Sequence, residues 1–189
     1  GNIYDVVPYL SEIRAEGAYL TSQRLLKLMK MLMMMNDLVR FFESSKDEES
    51  GVTAYPFLSG EFSQIGVFPF LITEIERSVN KFGDIKDNAS PQLYEIRSQI
   101  RVASGSMQRA MRRVLERAVS NGLVDKDASP SIRDGRMVIP VSAGNKRGIQ
   151  GIIHEESSTG KTVFIEPAEV VEAGNRLREL EMEERREVI

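Results

Sequence analysis

One strand-like stretch, Ser131 to Pro167, lies between two long helical patterns, and that placement limits the folds open to this chain. Arg136–Val141 and Lys161–Ile165 are short runs rich in β-branched residues, with Ile149–Glu155 between them. A Gly-containing loop precedes the middle run and Ser157-Ser-Thr-Gly160 follows it, so the pattern predicts three short strands in a small antiparallel meander. Few strands make a sheet that is not stable alone. The flanking helices must therefore carry it.

Both flanks repeat apolar residues at steps of three and four. Before the sheet these are Leu93, Ile96, Ile100, Ala103, Met107, Ala110 and Val114; after it they are Val170, Ala173, Leu177 and Leu180. Such alternation marks a coiled-coil seam. Ser90 is a good N-cap, Pro91 suits the first helical position, and Asn121-Gly122 ends the first helix. The first arm carries Arg97, Arg101, Arg109, Arg112, Arg113 and Arg117; the second is rich in Glu from Glu169 to Glu187. Opposite charge across the seam favours pairing, and the Arg-rich arm also admits a reading as a phosphate track. The expected fold is mainly α: a helical core, 1–89; a first lever helix, 90–121; a small antiparallel β clamp, 122–166; and a returning lever helix, 167–189.

Within the core, a short helical pattern spans 4–20 and closes at Gly17. A helix from Thr21 to Ser44–Ser45 carries Leu25, Leu28, Met29, Leu32 and Met35, its methionines read as adaptable core filler. Lys46–Gly60 reads as a loop, and Phe68–Phe82 as a helix ended by Gly83.

Composition excludes several classes. Charged residues make up 28% and hydrophobic ones 41%, too apolar for disorder. The absence of Cys removes disulfides and thiolate metal sites and fits a reducing cytoplasm. No apolar run reaches the roughly 18 residues of a spanning helix, so no membrane partner is expected. The chain opens on Gly1 and stops inside a charged helical pattern, which reads as a fragment of a longer protein.

Chemistry-bearing motifs are sparse. Gly160-Lys-Thr162 mimics the end of a phosphate-binding loop, but Glu155 stands where its first Gly belongs and a strand follows instead of a helix. His154, the single histidine, lacks ligand-spaced partners; it reads either as an acid–base group beside Glu155 or, more simply, as a strand histidine satisfied by a neighbour. No catalytic residue, metal site or cofactor site is expected within these residues. The loop Gly144-Asn-Lys-Arg-Gly148 is more informative. Lys146 and Arg147, with Arg136 and Lys161 on the same small sheet, are the candidates for contact with a nucleic-acid backbone. Asp134, Glu155, Glu156 and Glu166 make the surrounding charge mixed.

Several ordered blocks carry a resemblance. Ile132-Arg-Asp-Gly-Arg136, Val138-Ile-Pro-Val141, Gly151-Ile-Ile-His154, Ser157-Ser-Thr-Gly160, Phe164-Ile-Glu-Pro167 and Asn175-Arg-Leu-Arg-Glu-Leu180 resemble the second, MutS-like subfamily of the DNA mismatch-recognition ATPases. Upstream, Gly83–Ser90 with Ile96-Arg97 looks like the same family's run into the lever helix. The resemblance implies a non-catalytic core, lever and clamp region of a larger protein that works as a homodimer around duplex, mismatched or branched DNA. It also implies ATP and Mg in an ATPase domain outside these residues, and in some members a nuclease domain. A helical scaffold that binds protein partners or dimerises without touching DNA is the alternative, and a small hydrolase using His154 with Glu155 is a third.

Overall fold

The computed structural model describes residues 3–45 and 55–189, and the chain divides into two compact units, Gly1–Pro91 with Ile189 and Gln92–Val188. It is mainly helical with one small antiparallel sheet, as the sequence predicts. No described helix is long and apolar enough to cross a membrane.

The first unit holds α1 (Val7–Glu12), α2 (Ser22–Ser44), α3 (Pro56–Phe62) and α4 (Pro69–Ser78). Thr21 caps α2, its hydroxyl accepting the Arg24 amide at 3.4 Å. Leu26, Leu28 and Leu32 of α2 pack with Ile75 of α4 and with Val79, and Met29 lies half-buried against them. Two expectations are corrected here. Residues 56–60 of the expected loop are helical, because Pro56 sits in the first turn of α3 and Phe62 stacks on Phe42 at 4.6 Å between ring centroids. The rest of that loop, 46–54, lies outside the described residues. The helix expected to reach Phe82 stops at Ser78, and Val79 turns extended to bridge Ile85. Asn80 explains the stop: its side-chain oxygen accepts the amides of Phe82 at 2.8 Å and Asp84 at 3.0 Å, offering the backbone an alternative to the helix.

The second unit consists of α5 (Pro91–Ser120), β1 (Ser131–Arg133), β2 (Arg136–Ser142), β3 (Gly151–Glu156), β4 (Thr162–Pro167) and α6 (Ala168–Glu187). Its strand order is β1-β2-β4-β3, with every neighbouring pair antiparallel. This corrects the meander. The last strand, not the middle one, occupies the interior of the sheet. Burial explains the choice: Val163 and Ile165 of β4 are essentially inaccessible, whereas Ile152 and Ile153 of β3 remain half exposed at the edge. The segment from Ala143 to Gln150 must then cross from one end of β4 to the other, and it does so through a short 3-10 turn, Ala143–Gly148. Asn145 ties that turn down by donating to the carbonyls of Gly122 and Leu123.

The strand β1 is an addition to the expected three. Asp134 and Gly135 both have positive φ, 48° and 71°, between the paired Arg133 and Arg136. That is a two-residue turn of the type whose twist suits a hairpin.

The two long helices run antiparallel, since Arg97 pairs with Glu184 at 2.7 Å, Arg176 donates to Gln99 at 3.0 Å, and Arg117 pairs with Glu169. Their apolar residues, however, also serve the sheet. Ala110, Met111, Val114 and Ala118 of α5 are buried with Ile139, Val141, Val163 and Ile165, and Val170 of α6 joins them. The sheet is thus fastened along the C-terminal part of α5.

Candidate nucleic-acid interface

The four candidate cations differ in their surroundings. At the Ser142–Thr162 end of the sheet, the Ala143 amide donates to the Lys161 carbonyl at 2.9 Å, so the 3-10 turn leaves where Lys161 enters. Lys161 is exposed there, and Lys146 and Arg147 are exposed on the 3-10 turn that leaves this end. The second tight turn at this end is built locally: the Gly160 amide reaches the Ser157 carbonyl at 2.7 Å, and the Ser157 hydroxyl accepts the Thr162 amide at 3.1 Å. Strand β4 follows it directly, so Gly160-Lys-Thr162 has no helix N-terminus to bind phosphate. Asp125 and Asp127 flank the groove beside Ser142 and Thr162, so the charge is mixed.

Arg136 lies at the opposite end of β2. Its Nη1 donates to Glu166 Oε1 at 3.2 Å and to Asn175 Oδ1 of α6 at 2.8 Å. His154 Nε2 lies 2.7 Å from the other oxygen, Oε2, of the same carboxylate. Glu166 is only 2% exposed, while Arg136 and His154 are 19% and 20% exposed. A carboxylate that deep must be paired, and here both oxygens are. One buried acid therefore joins β2, β3, β4 and, through Arg136, α6. Gly174 permits the approach, since a Cβ there would stand 3.3 Å from Glu166 Oε1 and 3.8 Å from Met107 Sδ of α5. Arg178 adds a further tie from α6 to the β1–β2 turn, donating to the Asp134 carbonyl at 2.9 Å.

This joint was missed by sequence reasoning, which counted Glu166 only as nearby negative charge. Its signal is an acid closing the apolar run Val163-Phe-Ile165, with complementary Arg136 and His154 in the adjoining strands. Histidine is satisfied by a neighbour, as the simpler reading holds, but the neighbour is Glu166. Glu155 instead pairs with Arg133 at 2.9 Å, and the Arg133 guanidinium lies 4.6 Å from the centre of the Phe164 ring. Among the described residues no group of His, Asp or Glu side chains is arranged to hold a metal ion.

No protein-family model matches the chain. Relatives do. The chain is 34% identical over 188 residues to a protein named endonuclease MutS2 from Thermotoga neapolitana, covering 97% of this chain and 23% of that protein. It is 31% identical over 188 residues to endonuclease MutS2 of Geobacillus sp. strain WCH70, covering 100% and 23%. Against the protein of that name from Carboxydothermus hydrogenoformans it is 37% identical over 171 residues, covering 90% and 21%. The chain thus spans about a quarter of the length of these relatives. It is homologous to one stretch of the MutS2 proteins, and these similarities support its membership of the MutS family.

Proposed function

We propose that this chain is the core, lever and clamp region of a MutS-like ATPase, and that it carries motion to a small sheet that touches DNA. The observation that supports this reading most is the joint at Glu166, found in a chain homologous to MutS2 over 97% of its length. Because the carboxylate and its partners fasten three strands and α6 together, movement of α6 must move the sheet. In this reading α5 and α6 are the lever, with ion pairs along their flanks, and the sheet is the clamp. Lys146, Arg147 and Lys161 are the phosphate contacts. Arg136, with its guanidinium committed to Glu166 and Asn175, belongs to the joint.

The chain's own residues bind and transmit in this scheme; ATP and Mg act in another domain of the same protein, which works as a homodimer in the cytoplasm. Duplex and branched DNA are the partners, in mismatch repair or in control of recombination. The test is binding of the full-length protein to both forms of DNA across a range of salt. Replacing Lys146 and Arg147 by Ala should weaken binding equally across sequences and reduce the salt slope by about 2, near 0.9 per lost phosphate contact. No binding even at low ionic strength would favour the scaffold reading instead.

A further inference from the structure

The outer face of α5 presents a cluster of arginines that the acidic arm does not neutralise. Of the arginines on that helix, Arg97 and Arg117 pair with Glu184 and Glu169 of α6. Arg109, Arg112 and Arg113 are exposed, and among the described residues no ion pair joins any of them to a carboxylate. Helical geometry explains the division. At 100° per residue Arg109 lies opposite the face that Val114 and Ala118 bury against the sheet, while Arg113 and Arg112 lie at its two edges, Arg112 beside Met137, with exposed Glu116 one turn on. Arg109 is laid along the helix, its guanidinium donating to the Ser106 hydroxyl at 3.1 Å and passing over Gly105, where a Cβ would stand 3.4 Å from it.

We propose that Arg109, Arg112 and Arg113 form a second nucleic-acid contact, a phosphate-binding face on the lever separate from the tip of the sheet. From Arg109 to Arg113 the helix rises about 6 Å, close to the axial span of two nucleotide steps in one strand, about 3.4 Å each. Guanidinium forks match phosphate oxygens bidentately, and arginine sheds water more readily than lysine. An acidic protein surface is the poorer fit. Protein interfaces are anchored by large apolar or aromatic side chains, and between Ser104 and Ser120 α5 exposes none. The contact is to backbone, so it carries no sequence preference.

This inference rests on the proposed DNA-binding reading, and the experiment separates the two. Affinity of the full-length protein for a duplex is measured against salt for the wild type, for Arg109→Gln/Arg112→Gln/Arg113→Gln, and for Lys146→Ala/Arg147→Ala. Glutamine keeps helix propensity, and an unchanged helical circular dichroism signal verifies the fold of the triple variant. The proposal expects the triple variant to lower the slope by between about 2 and 3, from three contacts at 0.9 each, and to do so equally for unrelated sequences. A slope equal to wild type in the triple variant, with the tip variant reduced, would overturn the lever contact while leaving the tip in place. A reduction in the triple variant alone would support the lever contact and remove the tip. Absence of salt-dependent binding by the wild type would overturn both.

Discussion

The two ends of the sheet treat charge in opposite ways. At one end Glu166, Arg136 and His154 are drawn together out of water and bound to α6 through Asn175. At the other, Lys161 stands exposed in a tight turn, and Lys146 and Arg147 stand exposed on the 3-10 turn that leaves it. The difference follows from packing. Strand β4 runs directly into α6, so its last residues are covered by that helix, whereas its first residues emerge from a turn. A cation at the covered end is part of the architecture; a cation at the open end is available to a partner. Residue type and membership of one sheet do not tell these apart.

The sharpest way to break this contrast is to place the same small change at both ends. A Cβ on Gly151 would meet the Glu166 carbonyl oxygen at 2.1 Å, which is backbone and cannot swing aside. Gly151→Ala should therefore destabilise by about 3 kcal/mol or more, beyond ordinary overpacking. Gly144, in the turn at the open end, has nothing within 4 Å of an added Cβ. Gly144→Ala should stay within about 0.5 kcal/mol of wild type. Urea unfolding of the two variants checks the pair, and similar losses would dissolve the distinction.

Next in size is the joint. Glu166→Ala leaves Arg136 and His154 without their shared acid, and loss of one member of a buried pair costs about 3–5 kcal/mol; partial exposure of both partners puts this case at about 3. Its stability is read by the same unfolding measurement, with a loss below about 1 kcal/mol contradicting the joint. Smallest is the exposed pair Arg117–Glu169, where Arg117→Ala should cost less than about 1 kcal/mol and lose even that in high salt.

Much of this fold was legible in the sequence, and the misses share a cause. Pro91, the alternating apolar steps and Asn121-Gly122 mark α5 because caps and periodicity are local signals. The Asp134-Gly135 hairpin was equally local, and its chemistry alone could have added β1. Strand order was not legible in this way. Placing β4 between β2 and β3 depends on which strand buries most, a comparison made only once the strands meet. The joint at Glu166 is likewise invisible along the chain, since its partners sit 12 and 30 residues away. The exposed cations at Lys146 and Arg147 were easier to find, because a loop between glycines declares its exposure.

The most direct test of the contrast is the dependence of duplex affinity on salt for three proteins measured side by side: wild type, Lys146→Ala/Arg147→Ala and Arg136→Gln. Each is measured under conditions where unfolding shows it to be native. The account predicts a slope lower by about 2 for the first variant and unchanged for Arg136→Gln, whose guanidinium serves Glu166 and Asn175. A reduced slope for Arg136→Gln, or an unchanged one for the pair at the turn, would contradict it.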